Sequence, residues 1–436
     1  MHRTLCPAET LYVAQKSRAV VSCTVRGDLD EELLAAAFDA KVTEHPSLRC
    51  RVGLERHDGE GAPSPALQPL PESERPRLLV RPGGPTALSD EFNTPLDDGG
   101  PLVRAVLLRG EDEHVVVLSL DHVITDGHSA IALYNALWQT YAELADGTYE
   151  PPADGGERGC PPPATDLLPQ VGEEEVAQYL ARRVERTRRS PVSALPYGAT
   201  GTPEAARARI EVQRVLLEPE ETTRLLRFAK AAEVSVHGLI GAAMLIAVRR
   251  GLGGGDEARA LGCMSPVDLR TRVTPPLGRE VMVPAVATFL DVLEVAADAD
   301  PVALGRLVTA NLHTAIERRE FVHETRILPH VAGNPALLAT SVIVTNMGAR
   351  PGPPAPRGLE LTDMRLVPAR ENYYPQAGRG PLLACVVSFD GRLGIDIPYS
   401  TECFGDEQVR AVRDSVRTTL LTLADRTEPA GAAAQG

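Results

Sequence analysis

The chain has 436 residues, enough for two ordinary domains or one large two-part body. Its 43% apolar and 24% charged residues exclude a wholly disordered or fibrous chain. With 45 basic against 59 acidic side chains the formal charge is −14, which excludes a protein that wraps nucleic acid with a basic face.

In chain order, the N-terminus (Met1-His2-Arg3-Thr4-Leu5-Cys6-Pro7) carries no apolar signal segment, so a cytoplasmic location is expected. Ala19 to Arg26 reads as a strand ended by Gly27. Asp28, with Glu31 three residues on, reads as the cap of a helix over Leu29 to Glu44, where Leu33, Leu34, Ala37, Phe38 and Val42 recur at helical spacing. His45-Pro46 stops it, and Leu48 to Leu54 is a short strand. Leu102 to Arg109 and His114 to Leu120, joined by Gly110-Glu111-Asp112-Glu113, predict a hairpin. After Asp126-Gly127 a helix is expected with Ile131, Tyr134, Leu137, Trp138, Tyr141 and Leu144 on one face.

Residues 147–170, crowded with Pro, Gly and Asp, read as a linker and divide the chain into parts of 1–172 and 173–436. A basic helix over Glu173 to Arg189 and a second Pro/Gly stretch to Pro203 follow. The second part repeats the alternation. Strands are expected at Ile210 to Leu217, Ala260 to Pro266, Val283 to Val295, Ser341 to Thr345, Leu383 to Phe389 and Leu393 to Ile397. Helices are expected at Pro219 to Ala232, from Ser235 to about Arg249, at Pro301 to Arg318 and at Asp406 to Leu423, before a frayed Ala/Gly tail beyond Pro429. The longest apolar run, Leu239 to Val248, is too short for a transmembrane segment. Gly251-Leu252-Gly253-Gly254-Gly255 follows a helix and lacks a Lys-Ser/Thr end, so it reads as a connector rather than a phosphate loop. Seven scattered cysteines without C-x-x-C predict neither a disulfide framework nor a zinc ribbon.

One constellation carries chemistry: His122-Val123-Ile124-Thr125-Asp126-Gly127-His128, at the end of an apolar strand and the start of a long helix. A strand would hold the His122 imidazole rigidly, and its ordinary pKa suits a general base. Asp126 could orient the histidine or lock the loop to a distant cation, and Gly127 permits backbone that other residues resist. The same pattern also fits a plain strand–turn–helix junction with satisfied polar groups. His122, Asp126 and His128 are possible metal donors as well, but none of His237, His313, His323 or His330 has a spacing that completes a site. No metal is expected.

The surrounding segments resemble the superfamily of condensation domains, chloramphenicol acetyltransferase and polyketide-associated (Pap) acyltransferases. Its H-H-x-x-x-D-G signature is similar to Asp121-His122-Val123-Ile124-Thr125-Asp126-Gly127, with Asp121 in place of the first histidine. His45-Pro46-Ser47-Leu48-Arg49, Phe92-Asn93-Thr94-Pro95-Leu96, Gly100-Pro101-Leu102-Val103-Arg104, Pro266-Val267-Asp268-Leu269-Arg270 and Val344-Thr345-Asn346-Met347-Gly348 resemble further family segments in the same order.

The resemblance implies an α/β fold of two chloramphenicol-acetyltransferase-like lobes, each a mixed sheet with flanking helices, set as a V around a tunnel. It implies an acyltransferase in which His122 is the base. The donor would be a coenzyme A thioester or an acyl carrier protein's phosphopantetheine thioester, the acceptor a small-molecule hydroxyl or amine, and no cofactor would be tightly bound. His128 and Asn346 would line the tunnel. Asp126 would be structural and paired with Arg270, or alternatively Arg49, with Arg270 tying the catalytic loop to the second lobe and to lobe closure. Arg182, Arg183, Arg186 and Arg189 form either a solvated helix face or a dock for the carrier or coenzyme A. Asp121, pointing away from His122 by strand alternation, would be structural. Rival expectations are another tunnel reaction such as cyclisation, and a non-catalytic carrier-binding protein.

Overall fold

The computed structural model describes residues 3–55, 63–151, 159–198, 208–331, 333–334, 337, 339–349, 352–371 and 379–426. The central part of the linker, the end of the second Pro/Gly stretch and the tail beyond Pro429 lie outside them. The principal elements are α1 (Pro7–Gln15), β1 (Ser17–Gly27), α2 (Glu31–Glu44), β2 (Leu78–Pro82), β3 (Val103–Arg109), β4 (Glu113–Asp121), α3 (Gly127–Ala145) and α4 (Glu173–Arg189). Then come β5 (Ile210–Leu217), α5 (Pro219–Ala231), α6 (Val236–Gly251), β6 (Arg259–Asp268), β7 (Val286–Val295), α7 (Pro301–Glu317) and α8 (Glu320–Arg326). The chain closes with β8 (Val342–Ala349), β9 (Leu359–Arg370), β10 (Leu382–Phe389), β11 (Arg392–Ser400) and α9 (Asp406–Ala424).

Two compact units result, and they are not separated by one cut at the linker. The first takes residues 1–168, 268–286 and 350–373; the second takes the rest. The first unit's mixed sheet runs β9-β1-β4-β3-β2, antiparallel except for the parallel β2–β3 pair. Its edge strand β9 comes from far along the chain and pairs with β1 over their whole common length. The second unit's sheet runs β7-β6-β8-β10-β11-β5, with β6–β8 and β8–β10 parallel.

Helix α2 is capped by Asp30 rather than Asp28: its carboxylate accepts from the Glu32 and Leu33 amides at 2.9 and 3.0 Å. The Asp30 amide in turn donates to the Tyr141 hydroxyl at 3.0 Å, which fastens the start of α2 to α3. The apolar face that the sequence predicts for α3 is buried apart from half-buried Leu144, with Tyr134 and Trp138 at 0% exposure. Tyr134 satisfies its hydroxyl on the Val116 carbonyl at 2.8 Å, so the helix that follows the His122 loop is registered on the strand that precedes it. Truncating a buried aromatic such as Trp138 to Ala would cost about 3–5 kcal/mol.

The glycine-rich connector after α6 is organised by Arg249, which is fully buried and donates to the Gly253, Gly255 and Glu257 carbonyls. Carbonyls that face inward onto a cation are the reverse of a phosphate cradle, whose amides face the ligand.

Candidate active site

Strand β4 delivers His122. Asp121 pairs with Arg18 of β1, and one residue on the His122 amide donates to the Ser17 carbonyl at 2.8 Å. The chain then turns, closed by the Asp121 carboxylate, which accepts from the Val123 amide at 2.9 Å. Burial pushes the Asp121 carboxyl up to about 6, against that bond and the nearby Arg18 charge.

The His122 ring stacks on Tyr12 of α1, with centroids 4.1 Å apart and planes 17° from parallel. Burial lowers the imidazole to about 4; the Asp126 charge opposes this, while the Arg370 charge adds to it. His122 is therefore neutral at pH 7. Its Nδ1 is buried and has no hydrogen-bond partner among the described residues. Burial pushes the Tyr12 phenol up to about 12, so it too is neutral.

Asp126 does not point its lone pairs at His122. As N-cap of α3, its Oδ1 accepts from the Ser129 amide and hydroxyl at 2.8 and 3.1 Å. Its Oδ2 accepts from Arg270 Nη2 and from the Ala285 amide, both at 2.9 Å. Arg270 also donates to the Gly278, Val281 and Val283 carbonyls at 2.5, 3.1 and 3.1 Å. The pair thus holds the returning segment 268–286 on the histidine loop. Both partners belong to the first unit, so the expected dependence on lobe closure does not follow from this pair.

Gly127 has no positive φ and simply opens α3, so special backbone freedom is not what places glycine there. His128 brings Nε2 to 3.7 Å from Asp268 Oδ2. Among the described residues no three His, Cys, Asp or Glu side chains gather as a metal site. Asn346 lies in the second unit, where its side chain accepts from the Gly348 amide at 2.8 Å and shapes the end of β8. The basic stripe of α4 divides. Arg183 is buried, with Nε on Glu324 and Nη1 on Thr187, each at 3.0 Å, so its guanidinium is already engaged. Arg189 binds Glu185 at 2.7 Å in solvent. Arg182, Arg183 and Arg186 line a cavity of about 400 Å³ with Tyr179, Arg318, Glu320 and His323.

Tyr12, Ser17 and Arg370 were not singled out in the sequence. The Tyr12 helix had a signal: Pro7 at its first position and Glu9, whose carboxylate accepts from the Cys6 amide at 2.9 Å as in a capping box. Arg370 had none, because only the crossing of β9 brings it beside β1.

The family model described as "Phthiocerol/phthiodiolone dimycocerosyl transferase C-terminus" matches residues 206–398. Over 372 residues the chain is 25% identical to the phthiocerol/phthiodiolone dimycocerosyl transferase of Mycobacterium ulcerans (strain Agy99), covering 83% of this chain and 84% of that protein. The structure of polyketide synthase associated protein 5 from Mycobacterium tuberculosis matches with a TM-score of 0.73 at 20% identity, over 97% of this chain and 98% of that one. The chain is thus similar to Pap-type acyltransferases in sequence and shares its fold with polyketide synthase associated protein 5. Within the Pap match fall Arg270, Asn346 and Arg370; the His122–Asp126 loop lies ahead of it. The epimerization domain from the third module of tyrocidine synthetase B also matches, with a TM-score of 0.71 at 19% identity over 97% and 96% of the two chains. Sharing this fold therefore does not by itself select the reaction.

Proposed function

We propose that this Pap-type protein moves an acyl group from a phosphopantetheine thioester, on coenzyme A or an acyl carrier protein, to a hydroxyl or amine of a natural-product or lipid acceptor. The observation that carries the reading is a neutral His122 on a rigid strand end, packed by Tyr12 and followed by a loop whose aspartate is fully committed to structural donors. The loop is pre-organised before any substrate arrives, which is what positioning catalysis requires.

His122 takes the proton of the acceptor as its oxygen or nitrogen bonds to the thioester carbonyl carbon. The carbon–sulfur bond then breaks, and the proton passes to the leaving thiolate. Ester or amide and free thiol result, with no covalent acyl-enzyme. A ring lowered to about 4 holds that proton only in passing, which suits a relay between acceptor and thiolate. Arg182 and Arg186, which line the α4 cavity, are the residues to receive the phosphate or acidic surface of the donor.

Intact-mass measurement of acylated carrier proteins and candidate acceptors after incubation with the enzyme tests the reading. Acyl loss from the thioester with a matching mass gain on the acceptor is expected. A substrate altered without acyl transfer, by epimerisation or cyclisation, would replace it.

A further inference from the structure

Three adjacent strand ends form a row that the proposed chemistry leaves partly unused. Register sets Arg370 of β9 opposite Ser17 of β1. On the other side of Ser17, the His122 amide donates to the Ser17 carbonyl. Directly opposed residues on antiparallel strands point to one face of the sheet. Arg370, Ser17 and His122 therefore stand side by side, with Tyr12 stacked over the histidine. Ser17 is fully buried.

The charges around this row are unbalanced. Arg18, one residue along β1, is on the opposite face with Asp121, and Glu371 approaches it at 3.5 Å. Glu9 of α1 is taken by Arg3 at 2.8 Å. Asp126 is taken by Arg270, Ser129 and Ala285. The buried Arg18, Arg183, Arg249 and Arg270 all donate to carbonyls or carboxylates. Half-buried Arg370 has no acceptor among the described residues, and its Nε, Ser17 Oγ and His122 Nδ1 are all buried without a hydrogen bond. Its charge nevertheless acts on both His122 and Tyr12. A half-buried guanidinium with no carboxylate or carbonyl on it is free to receive an anion.

We propose that Arg370 holds an anionic oxygen of the substrate beside His122, with Ser17 as the floor of that subsite. The oxygen belongs either to a carboxylate carried by the acceptor or to the oxyanion that develops on the thioester carbonyl. The guanidinium fork suits both. This deepens the acyl-transfer reading and rests on it.

The test is a titration with sodium butyrate at constant ionic strength, followed through the His122 C2–H proton signal, which is assigned by its loss in His122→Ala. In the wild type the signal shifts saturably and the His122 pKa rises as the carboxylate offsets the Arg370 charge. Arg370→Gln begins with a higher His122 pKa and shows no saturable shift, while Arg370→Lys keeps a weakened one and covers the case in which Gln does not fold. That result assigns a carboxylate. If butyrate does not bind, but Arg370→Gln lowers kcat by about 10²-fold at unchanged KM, the oxyanion is the ligand. Absence of butyrate binding together with unchanged kcat and KM overturns the subsite. Butyrate binding that needs Arg370, in a protein that transfers no acyl group, keeps the subsite and overturns the acyl-transfer reading instead.

Discussion

Removing Arg270 should unfold the histidine loop before it affects any substrate. Arg270 and Asp126 are 2% and 6% exposed, so neither charge has water to fall back on. In Arg270→Ala the carboxylate keeps the Ala285 and Ser129 donors but loses its cation, and the Gly278, Val281 and Val283 carbonyls lose theirs. Breaking a buried pair from one side costs about 3–5 kcal/mol. Asp126→Ala strands the guanidinium and also uncaps α3, which adds about 1 kcal/mol. The double variant leaves no orphan charge, so its loss should fall short of the sum by about 1–3 kcal/mol. Arg270→Lys cannot reach the carboxylate and three carbonyls together, and each charged hydrogen bond lost costs about 1.5–3 kcal/mol. Guanidinium midpoints from circular dichroism, compared at equal m-value, read these differences. Strict additivity in the double variant, or an Arg270→Ala loss within about 0.5 kcal/mol, would refute the reasoning.

Three further outcomes are expected. His122→Ala should lower kcat/KM by about 10²–10⁴-fold with an unchanged melting temperature; near-native turnover would remove His122 from the chemistry. Because burial holds His122 at about 4, kcat/KM should lose no activity to its protonation between pH 6 and 8, and an acid limb centred near the ordinary histidine value of about 6.5 would contradict that. Asp121 has the opposite linkage to the usual carboxylate: raised to about 6, it binds more protons folded than unfolded, so it erodes stability as pH rises from its unfolded value through 6. Asp121→Asn should therefore stabilise the protein at pH 7 by about 1–3 kcal/mol, and a lower melting temperature than wild type would show that the carboxylate itself is needed.

Local patterns in the sequence carried the hairpin, the amphipathic α3 and the His122 loop, because each depends on residues near one another in the chain. Asp126 and Arg270 are 144 positions apart, and resemblance rather than spacing suggested the pair. The N-cap of α2 was misplaced by two residues because Asp28 and Asp30 both offer a capping carboxylate, and only the bonds to Glu32 and Leu33 decide between them. Strand β9 escaped notice for a physical reason. A bulge between Leu361 and Asp363 breaks its two-residue alternation, and Pro368 argues against a strand interior. With β9 unseen, Arg370 could not be placed beside His122, and the two-part division at residue 172 looked sufficient. Arg183 looked like its neighbours on α4 in every local respect; its inward turn is set by Glu324 on α8.

The route of β9 also limits how such proteins can be recombined. A cut at the 147–170 linker, where halves would naturally be exchanged between relatives, separates the His122 loop from three things made downstream: Arg270, the Ala285 amide and the edge strand that carries Arg370. A donor N-terminal half grafted there would inherit these parts from the recipient, with β1 pairing against a foreign strand. A working exchange must move residues 1–168, 268–286 and 350–373 together, as three inserts in one construction. The unit of inheritance for the histidine site is discontinuous in the gene, even though its residues form one compact body.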